Sequence, residues 1–284
     1  MILTLDSIRD IRLYQRRSGY RFSLDALLLF DFAQKRIQKA QTIADLGAGS
    51  GVVGLLLAKR YPAARVVLLE LQDGLYGLSL KNIALNGLEG RVRAVKTDLM
   101  EIGKKPAAGS DAGLGPGSFD MAVANPPFRK VKSGRLSLDE ERAVARHELT
   151  LPLAALAKAA SYLVKNRGRF FMIHHPGRLP EIFTALQAAG FEPKRLRFVH
   201  GRPAPDAGDV PAKGSGGADS GDEREYGLSE IGPSGTGSSG ATGAKMVLVE
   251  AVRAGSPGLS VERPFFVYGP DGAFGAEVRR IYGL

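Results

Sequence analysis

Apolar positions along this chain fall into two alternating patterns. Short runs rich in β-branched and aliphatic residues recur at Thr42–Leu46, Arg65–Leu69, Arg91–Lys96, Phe119–Ala124, Gly168–Ile173, Arg195–His200 and Lys245–Val252. Between them, from Val52 to Arg60, Leu75 to Leu85, Leu151 to Val164 and Arg178 to Ala189, apolar residues return at helical spacing. Strands that alternate with helices form βαβ units, so the pattern predicts an α/β fold with a mostly parallel sheet covered on both faces. No helical stretch separates the last two runs, which are therefore predicted to pair antiparallel at one edge.

Two segments break the alternation. Residues 103–118 are rich in Gly and Pro and read as a surface connection. Residues 203–244 hold few apolar side chains and many Gly and Ser. Such a segment buries too little surface to offset its ordering entropy, and it is predicted to be a disordered loop inserted between the last two strands. The simplest reading of that loop is a passive insertion, and a lid over a substrate is the alternative.

Composition narrows the class. At 284 residues, 44% hydrophobic, the chain has material for one large domain, 1–284. A net charge of +10 predicts attraction to a polyanion. The absence of cysteine removes disulfides, thiolate metal sites and cysteine nucleophiles together. The first residues carry acidic side chains too early for a signal peptide, and no apolar run reaches membrane-span length, so a cytoplasmic protein is expected.

The first chemical motif lies at the end of the first strand of the pattern. Asp45, Gly47, Gly49 and Gly51 form an Asp-x-Gly-x-Gly-x-Gly turn that runs into a predicted helix. Backbone N–H groups and a helix N-terminus can there approach a ligand closely. The same stretch, Gly49 to Gly54, also fits the dinucleotide fingerprint Gly-x-Gly-x-x-Gly. Glu70 ends the next strand, where a carboxylate can accept both hydroxyls of a ribose, a group that nicotinamide dinucleotides and S-adenosylmethionine share. Asp98 follows the third strand and can accept from an adenine amino group or cap a turn.

Asn125-Pro126-Pro127-Phe128 separates the two ligands. Two prolines stop the fourth strand, since neither has an N–H for the ladder. In register with the glycine turn and the two carboxylates, the tetrapeptide resembles the Asn/Asp-Pro-Pro-Tyr/Phe signature of amino-methyltransferases, which implies methylation of an amine, a task that a hydride-transfer enzyme lacks. An exocyclic amine on a base is a poor nucleophile because its lone pair is delocalised. The Asn125 side chain and the Pro126 carbonyl can accept its two N–H bonds and direct the lone pair at a sulfonium methyl. Phe128 offers a face for stacking a base, an interaction of about 1–3 kcal/mol in single-strand sites.

With these motifs go Gly19 to Leu29, Thr97-Asp98-Leu99, Ala145 to Glu148 and Pro193 to Val199, and together they resemble the bacterial tRNA1(Val) adenine N6-methyltransferases. The resemblance runs from about residue 5 to the closing Phe265 to Gly269 and Ile281 to Gly283, with the loop at 203–244 as its main departure. It implies a class I S-adenosylmethionine-dependent methyltransferase fold, Rossmann-like, with seven strands and an antiparallel last strand. It also implies S-adenosyl-L-methionine as donor, S-adenosyl-L-homocysteine as product, and N6-methyladenosine formation next to a tRNA anticodon. In relatives the Tyr20 to Asp25 segment folds over the donor. Residues 1–40 are thus expected to cover donor or substrate, with Ser23 and Asp25 at the pocket; equally, Ser23 and Asp25 fit a helix cap and its first turn.

Cations cluster after the tetrapeptide at Arg129, Lys130, Lys132 and Arg135, and again at Lys194, Arg195 and Arg197. Beside Phe128 they suit phosphates flanking a splayed base, so tRNA is the expected partner. Arg146, His147 and Glu148 read as an ordering cluster. His174 and His175 are adjacent near a strand end and face opposite ways, and with no cysteine and no His-Glu-x-x-His no metal is expected. Three other readings share parts of the pattern. These are an N2-guanine methyltransferase of rRNA or tRNA, a protein-glutamine N5-methyltransferase, and a non-catalytic RNA-binding remnant. The oligomeric state is not encoded in these motifs.

Overall fold

A computed structural model of the chain describes residues 3–16, 24–35, 40–104, 113–126, 151–203 and 243–283. It opens with a hairpin, β1 (Leu3–Ile8) and β2 (Ile11–Arg16), and a buried helix, α1 (Leu24–Gln34). The alternating body follows as β3 (Thr42–Leu46), α2 (Val52–Arg60), β4 (Arg65–Glu70), α3 (Asp73–Leu85), β5 (Val92–Lys96) and β6 (Phe119–Ala124). Next come α4 (Leu153–Leu163), β7 (Val164–His174), α5 (Leu179–Ala188), β8 (Phe191–His200) and β9 (Met246–Arg253). Two short strands, β10 (Ser260–Val261) and β11 (Phe265–Phe266), precede α6 (Ala276–Tyr282).

Strands β3 to β9 form one sheet in the order β8-β9-β7-β6-β3-β4-β5. All its neighbours are parallel except those of β9, which runs antiparallel to both β7 and β8. The last two predicted strands do pair antiparallel, but the final one is inserted one place in from the edge. The outer edge of β8 is paired in turn by β10 and β11, which removes an open ladder.

The continuous apolar runs are explained by burial on both faces. Ile43, Leu68, Met121, Val123 and Phe171 pack against α1, α2 and α6 on one side. Ala44, Leu69, Ala122, Phe170 and Met172 pack against α4 and α5 on the other. The chain order reverses at β3, whose neighbours are β4 and β6. The crevice at the carboxyl ends of those strands is the topological switch point, where open α/β sheets bind ligands.

The second cation cluster read as a polyanion surface has another use. Arg195 is 3% exposed, donates to Glu250 and Glu262, and gives a further N–H to the Phe32 carbonyl at 2.8 Å. Its guanidinium lies 3.7 Å from the centroid of the Phe32 ring. Arg169 meets the other oxygen of Glu250, which is itself 1% exposed. Arg197 pairs with Glu277 on α6, and Lys194 donates to the carbonyls of Ser256 and Gly258. Arg195 and Arg197 are buried and paired, so they fasten β8 to its surroundings, while Lys194 stays partly exposed. Residues 204–242 of the loop predicted at 203–244, the cluster Arg146 to Glu148 and the cations Arg129, Lys130, Lys132 and Arg135 lie outside the described residues.

Candidate active site

The glycine turn is dictated by backbone geometry. Gly47, Gly49 and Gly51 have φ of 72, 59 and 90°, the left-handed region in which a Cβ is strained. Alternating these with ordinary residues turns the chain from β3 directly into α2. A Cβ built on Gly47 or Gly49 would meet no atom within 4 Å, so the loop borders open space on that side. Gly54 has a different reason to be glycine, one that Gly51 shares in addition to its φ. A Cβ on Gly54 would come 2.2 Å from Leu68 Cδ2, so its absence lets α2 lie close on β4.

Strand register sets the spacing of the remaining groups. Leu46 pairs with Leu69 of β4 and with Ala124 of β6. Glu70 and Asn125 are the next residues after those partners, so the ends of β4 and β6 stand on the two sides of the end of β3, from which the glycine turn leaves. Gly47 N and Ala48 N both donate to the Leu69 carbonyl at 2.9 Å, fixing the loop over β4.

Each sequence-derived carboxylate is held by backbone N–H groups. Glu70 Oε2 accepts from Gly49 N at 2.9 Å and Oε1 from Gln72 N at 2.8 Å. It is thereby oriented at the strand end, with lone pairs remaining for further donors. Asp45 lies beneath the loop rather than facing the crevice. Its Oδ2 accepts from Gly54 N at 2.8 Å, which caps an orphan N–H of α2 that Gly51, lacking a side chain, cannot cap. Asp98 Oδ1 accepts from Met100 N at 2.8 Å and caps a short 3-10 helix, Leu99–Glu101, so the turn-capping reading holds for one of its oxygens. Asn125 and Pro126 are half-buried at the end of β6. Asp25 is half-buried in the first turn of α1. Ser23, Pro127 and Phe128 lie outside the described residues.

Burial pushes the Asp45 carboxyl up to about 7, opposed by the Gly54 N–H and reinforced by the Glu70 charge. The protonated form is thus favoured by folding, and its stabilising contribution is complete below about pH 3.8 and lost as pH rises through about 7. Buried His174 acts with the opposite slope. Its imidazole is pushed down to about 4 by burial, so stability falls as pH drops from 6.5 towards 4. The difference between wild type and Asp45→Asn isolates the carboxyl, because Asn keeps an acceptor for Gly54 N. Urea midpoints from pH 4 to 8 should show the variant gaining on wild type as pH rises; a constant difference would mean that Asp45 ionises at its ordinary value.

The two histidines have local backbone roles. His174 Nδ1 accepts from His175 N at 2.7 Å, and His175 Nδ1 accepts from Gly177 N at 3.1 Å. Among the described residues no group of three or more His, Asp or Glu is placed to hold a metal, and no helix is long and apolar enough to cross a membrane.

Sequence reading passed over Asn82 and Asn86, whose amides tie α3 to β2. The signal was two amides four residues apart, one in the helix predicted over Leu75 to Leu85 and one just past its end, together with the alternating Leu3, Leu5 and Ile11, Leu13.

The model of the methyltransferase small domain family matches residues 24–173. A Porphyromonas gingivalis protein named tRNA1(Val) (adenine(37)-N6)-methyltransferase is 30% identical over 201 residues, 70% of this chain and 75% of that one. A Flavobacterium johnsoniae protein of the same name is 28% identical, over 66% of this chain and 75% of its own. Among solved structures, an Agrobacterium tumefaciens protein described as a predicted O-methyltransferase superposes with a TM-score of 0.62 at 20% identity, covering 91% of this chain and 95% of that one. At that identity the likeness bears on the fold alone: a class I methyltransferase sheet.

Proposed function

Because this chain belongs to the methyltransferase small domain family, with relatives named tRNA1(Val) (adenine(37)-N6)-methyltransferase, we propose that it methylates N6 of an anticodon-loop adenosine in that tRNA. The observation that supports the reading is the register that brings the ends of β4 and β6, where Glu70 and Asn125-Pro126 stand, to the two sides of the end of β3, where the glycine turn begins. S-adenosylmethionine, when bound, supplies an electrophilic methyl group on a sulfonium. The residues present fit such a donor, since the loop at Gly47 and Gly49 borders open space and Glu70 stands oriented at its edge.

Each residue then has a task. Glu70 accepts the ribose hydroxyls, and the remaining capacity of Asp98 serves the adenine amino group. Asn125 and the Pro126 carbonyl accept the two N–H bonds of the target amine, which keeps its lone pair off the ring and free to attack. Pro127 fixes the direction of the carbonyl before it. Phe128 stacks the base, while Arg129, Lys130 and Lys132 neutralise neighbouring phosphates. Ser23 and Asp25 belong to the segment that closes over the donor. No strong general base is required, because the methylated nitrogen becomes acidic and loses its proton readily. A cytoplasmic location accords with tRNA as the substrate.

The test is incubation with labelled S-adenosylmethionine and tRNA lacking the modification, followed by nucleoside digestion. Label in N6-methyladenosine is expected. Label confined to methylguanosine or to protein would overturn the assignment in favour of the N2-guanine or glutamine reading.

A further inference from the structure

The hairpin formed by β1 and β2 has one ladder within itself, and the other edge of β2 is finished by a helix. Arg12 N donates to Asn86 Oδ1 at 2.9 Å, and Asn86 Nδ2 donates back to the Arg12 carbonyl at 2.7 Å. Tyr14 N donates to Asn82 Oδ1 at 2.7 Å, and Asn82 Nδ2 donates to the Tyr14 carbonyl at 3.2 Å. Residues four apart on a helix rise about 6 Å, and residues two apart on a strand about 6.8 Å. The two amides therefore match alternate residues of β2, and α3 takes the place of a third strand.

Only one of the two amides reaches further. The second N–H of Asn82 is donated to the Ser50 carbonyl at 2.9 Å, between Gly49 and Gly51 of the glycine turn. The second N–H of Asn86 stays within its own helix, on the Asn82 carbonyl at 2.7 Å. Asn82 is 0% exposed and Ser50 6%, so neither exchanges its bond for water at low cost. One side chain thus joins the strand that leads into residues 17–23 to the loop that borders the crevice.

We infer that Asn82 is a positioning residue for the donor site, coupling the docked hairpin to the geometry of the Gly47–Gly51 loop. The inference rests on the reading of that loop as the donor site. Coupling is reciprocal, so donor binding must also steady the hairpin. Asn86, which holds the same strand by the same chemistry without touching the loop, is the built-in control.

Asn82→Asp keeps the acceptor for Tyr14 N but has no N–H for Ser50, and Asn86→Asp makes the same change one turn away. Calorimetry with S-adenosylhomocysteine on the full chain should show affinity reduced about tenfold or more in Asn82→Asp, the size of a lost buried hydrogen bond. Asn86→Asp should stay within roughly threefold of wild type, since it does not reach the loop. In the wild type itself, S-adenosylhomocysteine should slow hydrogen exchange at Arg12 N and Tyr14 N, a measurement that stands even if a variant fails to fold. Equal affinities in the two variants, or unchanged exchange on saturation, would overturn the coupling alone. No binding by wild type would overturn the donor reading and the coupling with it.

Discussion

Asn125→Ala is expected to bind S-adenosylhomocysteine as wild type does and to methylate tRNA at least about a hundredfold more slowly, the usual cost of removing an oriented polar group that acts in the transition state. The division between binding and turnover follows from where the residue sits. Glu70 and the glycine turn lie on β4 and β3, while Asn125 ends β6 on the far side of Gly47, so its amide can be removed without disturbing them. Calorimetry for the ligand and single-turnover methylation for the rate separate the two effects. A variant that kept the full rate would remove the amide from the mechanism.

Glu250→Ala should lower stability by about 3–5 kcal/mol, the range for leaving a buried charge without its partner. Glu250 is enclosed in the sheet, and Arg195 and Arg169 converge on it from β8 and β7. Arg195 keeps Glu262 and the Phe32 carbonyl after the change, but its Nε loses its acceptor in a place water does not reach. Urea unfolding with circular dichroism gives the number, and a loss below about 1 kcal/mol would mean that the pair is solvated in the folded chain. The same measurement decides what Arg195 is for. If its guanidinium were an RNA contact and not a structural partner, Glu250→Ala would leave stability nearly unchanged.

The helices and strands of the sheet were legible because burial on both faces leaves a local trace: an apolar run for each strand and a helix period between runs. Thr42–Leu46 and Val52–Arg60 agree with β3 and α2 to the residue for that reason. The hairpin at 3–16 was harder to read. Its alternation is short, and its second edge is completed by Asn82 and Asn86, 68 and 74 residues away in sequence. The position of β9 between β7 and β8 was likewise not local, since an antiparallel neighbour can be reached from either side of β8 once the connection is long.

At the site, the residue types at the strand ends could be read from local rules alone, because a positive φ demands glycine and a strand that ends in two prolines cannot continue. Local patterns also place Asp45, Glu70, Asp98 and Asn125 at or just beyond the ends of successive strands. Which backbone group each carboxylate holds was decided only by tertiary structure. Asp45 turns under the loop to cap α2, Asp98 caps a turn, and Glu70 is aimed by Gly49 and Gln72. The charge at 194–197 shows the same division. A run of Lys and Arg reads as free cations in one dimension, and becomes structural only when folding brings Glu250, Glu262 and Glu277 within hydrogen-bonding reach, since ion pairing depends on distance in space and not on order along the chain.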